Sequence, residues 1–227
     1  AKPYLELTLS YLQADQRLAA GDVTDFNLDV TTLSALAGIG LIFQIAEGTT
    51  LRPILLGGYA HIESDSIFDG DLAQDLNEGL DGILVDANLD SFLIGGAAEL
   101  RHERSFENEI ALEGRLRYNH LVNIGFEASD DSLEGTNDFV VIIGKLEASV
   151  PTGLKLFSRD VNGLGFGGSN LLLEQFGESI GSGDFIYEVG GGLELKDPAF
   201  VQGIGLRGSV LFGEDVTGWR AGLPIKF

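Results

Sequence analysis

The chain has no cysteine, which excludes disulfides and thiolate metal sites. It has no apolar run of the roughly 20 residues that a membrane-crossing helix needs. A crossing by strands stays open, because a strand spans with about 9–11 residues, of which only alternate ones need be apolar. Bases are scarce, 14 Lys and Arg against 35 Asp and Glu, for a formal charge of −21. Such a balance argues against a nucleic-acid partner. Histidine is nearly absent, with three copies. No stretch has the strand–glycine–helix context of a phosphate cradle, since Gly163–Gly168 reads as a loop. The chain starts at Ala1 rather than Met and is read as a mature chain whose signal peptide has been removed.

Glycine, by contrast, is abundant, with 32 of 227 residues, about twice its usual share. It disfavours helix interiors and suits bends and close strand contacts. Two-residue alternation runs through most of the sequence and predicts strands at about 4–13, 23–46, 51–64, 88–103, 108–128, 137–150, 153–159, 184–196, 200–212 and 216–227. In the fifth, Glu109, Glu113, Arg115 and Arg117 share one parity and Ile110, Leu112, Leu116 and Tyr118 the other. The apolar parity of 23–46 switches near Thr31-Thr32, which predicts a bulge there. Residues 1–227 are therefore expected to form a single all-β domain, an antiparallel up-and-down barrel of ten strands. A hairpin hidden in 160–183 would raise the count to twelve.

A soluble sandwich shows similar alternation with the charged faces outward. Three features favour a membrane barrel. Several strands exceed the usual 5–6 residues. Each apolar face is free of charge over the height of a bilayer core, where a Lys or Arg would cost about 2–4 kcal/mol. Connections alternate between short (Glu47–Thr50, Arg104–Glu107, Pro151–Gly153, Lys196–Ala199) and long (near 14–22, 65–87, 129–136 and 160–183), although Gly213–Asp215 breaks the pattern. Tight turns on the periplasmic side put both termini there. Aromatics near strand ends, Tyr4, Phe185, Tyr187, Phe200, Phe212, Trp219 and Phe227, are expected to form interfacial girdles. The compartment expected is the bacterial outer membrane.

On this reading the lumen holds Glu99, Arg101, Glu113, Arg115, Arg117, Lys145, Glu147, Glu188, Glu194, Arg207 and Arg220, together with Glu6, Glu63 and Lys155. Small barrels are filled by side chains, and a mixed interior predicts an ion-pair network with a closed or very narrow channel. Excess acid falls in the long connections, including Asp65, Asp69, Asp130, Asp131 and Glu178, with only Arg17 and Arg159 opposing it. Such a crown suits either plain solvation or divalent cations held against lipid headgroups. Arg52 and Arg104 are assigned to the periplasmic rim. A short surface helix is expected within 71–85. His61, read as luminal beside Glu63, is the one candidate base, but no nucleophile accompanies it. Catalytic residues, a metal site and a cofactor are not expected.

Leu51–Ala60, Gly190–Leu195 and Leu206–Phe227 together resemble the barrel domain of autotransporters, and more closely the solitary autotransporter-like barrels of Gram-negative bacteria. The resemblance covers most of the chain. It implies outer-membrane lipid and lipopolysaccharide as surroundings and assembly by the barrel-assembly machinery through the C-terminal strand. Barrels of that family usually have twelve strands. Its secretion of a passenger is not carried over, because the first strand begins near Tyr4. A structural or surface-interaction role, a narrow solute channel and an enzyme using His61 remain as three readings.

Overall fold

The computed structural model describes residues 1–19, 24–65, 67–70, 81–82, 85–174, 184–196, 203–213 and 216–226. Strands β1 (Lys2–Ala19), β2 (Thr24–Ala46), β3 (Thr49–Ser64), β4 (Ile67–Gly70), β5 (Ala87–Ser105), β6 (Ala111–Ala128), β7 (Gly135–Leu156), β8 (Arg159–Glu174), β9 (Asp184–Lys196), β10 (Gly203–Phe212) and β11 (Val216–Lys226) make one antiparallel sheet. β4 pairs with the start of β2 in the register that β3 holds with the rest of it, so β3 and β4 are one interrupted strand. The count is therefore ten, not twelve. β1 pairs with both β2 and β11, which closes the sheet. Followed once round the ladders, the registers return displaced along β1, the stagger that a barrel of tilted strands requires.

The distribution of polarity is inside-out. Glu99 is 1% exposed and Leu146 72%. Leu55, Leu206, Ile94 and Phe185 also lie on the outer surface, a continuous apolar exterior of the kind that marks a membrane or protein contact. The interior is filled in two parts. On one side Tyr4, Ile54, Leu56, Ala97 and Leu121 pack with Leu36, Ile42 and Phe139. The rest is largely polar and charged, with Leu164 and Phe166 among it.

The sequence misplaces one hairpin. Pro151–Gly153 is a bulge within β7 and not a turn, and the chain reverses at Phe157-Ser158. The expected strand at 153–159 is thus the tip of that hairpin. The expected loop at 160–183 begins with β8, and Gly163–Gly168 lies in that strand. Leu164 and Phe166 point inward while Gly163, Gly165 and Gly167 hold the outer face, so the face has no side chains by which to announce itself. The bulge expected at Thr31-Thr32 is absent. Registers run unbroken through both residues, and β2 shifts instead at Gln44/Ala46, beside its turn. β1 extends past its expected end to Ala19, which puts the backbone of Arg17 in the sheet opposite Asn27. The helix expected within 71–85 falls largely outside the described residues. Between β6 and β7 a single 3-10 turn (Asp131–Leu133) is capped by Asp130, whose carboxylate accepts the Ser132 amide at 2.8 Å.

Candidate functional site: the charged lumen

β5, β6 and β7 carry two rows of charge on their inner faces. Arg101, Arg115 and Lys145 stand directly opposite one another, and so do Glu103, Glu113 and Glu147 two residues nearer the turn end. Like charges directly opposite are destabilising in isolation. Here each is answered along its own strand or on the diagonal. Arg101 meets Glu113 at 2.6 Å and Glu103 at 2.8 Å. Arg115 meets Glu113 at 3.0 Å, and Lys145 meets Glu147 at 3.6 Å. Glu99 lies between Arg52 at 3.2 Å and the longer contacts of Arg117 at 3.6 Å and Arg115 at 3.7 Å.

Two further pairs cross the lumen. Arg117 on β6 donates from both terminal nitrogens to Glu6 on β1, at 2.7 and 3.0 Å, while its Nε donates to Asn119 at 2.8 Å. Arg207 on β10 donates to Glu147 on β7 at 2.9 Å. Gly38 leaves room for the first strut, since a Cβ there would sit 2.8 Å from the Glu6 Cγ. Phe166 fills the space beside the second. Its ring lies 3.5 Å from the Lys145 ammonium and 5.8 Å from the Arg207 guanidinium carbon, and it sits over Gly190, where a Cβ would come within 2.5 Å of it. On the wall, Ser209 donates to Glu188 at 2.6 Å and Arg220 approaches the same carboxylate at 3.7 Å. Glu194 shares this inner face, opposite Asn162 and Gly205. A cavity of about 340 Å³ remains among Thr8, Asn119, Lys145, Asn170, Arg207 and Arg220.

Several expected positions differ. Tyr4 belongs to no girdle. It is 8% exposed, donates to Glu6 at 2.8 Å and lies under the Arg52 guanidinium at 4.9 Å, because it shares the inward parity of Glu6. Arg52 is likewise luminal and not at the rim. Lys155 is outside the lumen, in the β7–β8 hairpin, paired at 3.6 Å with Asp160. Arg159 begins β8 at the turn end and not among the long loops.

His61 and Glu63 sit on the outer parity of β3, away from the lumen. His61 contacts Asp90 at 2.5 Å through Nδ1 and Glu63 at 3.1 Å through Nε2, and Tyr59 donates to the same Asp90 at 2.6 Å. The two carboxylates flank opposite edges of the ring, so they do not converge on one ligand position. Among the described residues no group of three or more His, Asp or Glu side chains is arranged to hold a metal ion.

Phe185, Tyr187, Phe212 and Trp219 do lie outward at the long-loop end, with Tyr187 stacked on Phe212 (5.7 Å) and Trp219 against Tyr11 (4.9 Å). Phe200 and Phe227 lie outside the described residues. Tyr59, Phe92 and Phe126 extend the same aromatic band; the shared parity of Phe92 with Ile94 was the available signal.

A closed ten-stranded antiparallel barrel with a charged interior and an apolar exterior defines the structural class. Within that class the fold is the one seen in an autotransporter β domain. The β domain of the Bordetella autotransporter BrkA matches with a TM-score of 0.54 at 12% identity, over 100% of this chain and 99% of that one. The transport unit of AIDA-I from Escherichia coli gives 0.46 at 9% identity, over 99% and 90% of the two chains. The translocator domain of NalP from Neisseria meningitidis gives 0.44 at 11%, over 100% and 88%. No family model and no curated protein matches the sequence.

Proposed function

We propose that the chain is an integral β-barrel of the bacterial outer membrane whose lumen is occluded by its own side chains and whose role is structural or exercised through its acidic surface loops. The observation that carries this is the bidentate Arg117–Glu6 strut, which joins opposite walls. The second strut, Arg207–Glu147, and the Phe166 ring reinforce it. An open selective pore would favour one sign of charge, whereas here cations and carboxylates neutralise each other pair by pair. The apolar exterior and the aromatic band support residence in the membrane. On this reading the tight turns and both termini face the periplasm, the surroundings are phospholipid and lipopolysaccharide, and the barrel-assembly machinery inserts the chain. With His61 on the outer surface, no described histidine accompanies the luminal hydroxyls, and the non-enzymatic reading is preferred.

The test is single-channel recording in planar bilayers. Wild-type protein is expected to be silent, and the Glu6→Ala/Arg117→Ala variant to conduct. Steady unit conductance from wild type would support the second reading, a narrow solute channel, which the cavity beside Lys145 and Arg220 favours.

A further inference from the structure

β7 and β8 run past the rest of the sheet. β6 pairs with β7 no further than Ser149, and β9 pairs with β8 only from Val161. Among the described residues, residues 150–160 therefore pair only within the β7–β8 hairpin, and every one of them is exposed. Their composition is not that of a solvated turn. Val150, Leu154 and Leu156 are 41, 63 and 52% exposed, and Phe157 reaches 84%.

The turn itself does not account for Phe157. Phe157 and Ser158 have φ of 51° and 64°, and a two-residue hairpin turn with positive φ at both positions favours Asn-Gly or Asp-Gly. A bulky side chain there is an outlier, and this one has no core to fill. Two observations indicate what covers it. The hairpin continues the outward stripe of β7, which includes Leu146 and Val150, so it prolongs a surface already read as lipid-facing. It also carries Lys155 and Arg159 against Asp160, a local positive excess in a chain of net −21. Exposed apolar residues flanked by bases are the pattern of an element lying in an anionic membrane interface.

We propose that residues 150–160 form a lipid-binding element. Leu154, Leu156 and Phe157 enter the boundary between headgroups and acyl chains of the leaflet at the turn end of the barrel. Lys155 and Arg159 face the anionic phosphates. The element fixes the depth and tilt of the barrel, and the inference rests on the membrane reading above.

Trp219 is the sole tryptophan, which separates the two claims. The protein is reconstituted in phosphatidylethanolamine–phosphatidylglycerol vesicles with and without acyl chains brominated near the headgroup. In wild type, quenching of Trp219 reports insertion of the barrel. In the Phe157→Trp/Trp219→Phe variant the single indole reports the hairpin, and Phe157→Trp alone serves if the double variant folds poorly. Blue-shifted hairpin emission, quenched by bromine as strongly as Trp219, is the expected result. Water-like, unquenched emission at 157 beside a quenched Trp219 would overturn the hairpin proposal and leave the membrane reading intact. An unquenched Trp219 would overturn both.

Discussion

Arg117→Met tests the network where it is most exactingly built. The substitution removes both hydrogen bonds to Glu6 and the 3.6 Å contact with Glu99. Glu6, with a side chain 13% exposed, keeps the hydrogen bond from the Tyr4 hydroxyl. Glu99, with its side chain 2% exposed, keeps Arg52 and Arg115. Removing one partner of a buried pair costs about 3–5 kcal/mol, mostly because a charge is left behind without its counterion. Glu6→Gln in the same protein removes that charge, so the double variant is expected to recover a large part of the loss, with a coupling energy of about 1–3 kcal/mol. Equilibrium urea unfolding in phospholipid vesicles, followed by the emission of Trp219, measures all four corners of the cycle. A single-variant cost under about 1 kcal/mol, or costs that simply add in the double variant, would refute the view that the strut carries stability.

Leu146→Arg places a base on the outermost part of the apolar face, where Leu146 is 72% exposed. It is expected to cost about 2–4 kcal/mol in vesicles, and a neutral effect there would count against the membrane reading. Gly190→Val puts a branched side chain where a Cβ would already lie 2.5 Å from the Phe166 Cζ and 2.4 Å from the Gly208 carbonyl oxygen. Overpacking of about 1–3 kcal/mol is expected, together with altered near-ultraviolet circular dichroism as the ring moves off Lys145.

The charged strands were legible because alternation is strong wherever charges mark one face. Glu113, Arg115 and Arg117 against Leu112, Leu116 and Tyr118 leave no doubt as to which side is which. The failures lie where that marking lapses. β8 puts glycine on its outer face, so its alternation is between glycine and inward Leu164 and Phe166, and the stretch imitates a loop. β3 has large apolar residues on both faces, Leu51 and Leu55 outside with Ile54 and Leu56 inside, followed by Gly57-Gly58. Its parity is therefore weakly signalled, and His61, Glu63 and Arg52 were assigned to the wrong places. Pro151-Thr152-Gly153 has the composition of a turn and serves as a bulge. The trans-lumen struts could not be read at all, since the separation of 111 residues between Glu6 and Arg117 is set by closure of the sheet and not by any local pattern.

The matched rows of charge on β5, β6 and β7 bear on how such a sheet comes to be complete. In an open sheet of these strands alone, base would face base and glutamate would face glutamate across each ladder. Sliding β5 past β6 by two residues would set opposite signs directly across from one another, whereas the native alignment joins them on the diagonal. Further partners arrive from elsewhere in the chain, Glu6 from β1 and Arg207 from β10. Part of the interior charge is thus answered only when β1 and β10 have come round to face β6 and β7 across the lumen, so those ion pairs are deferred until the sheet curves into a barrel. The last of the lumen's ion pairs belong to the finished barrel alone.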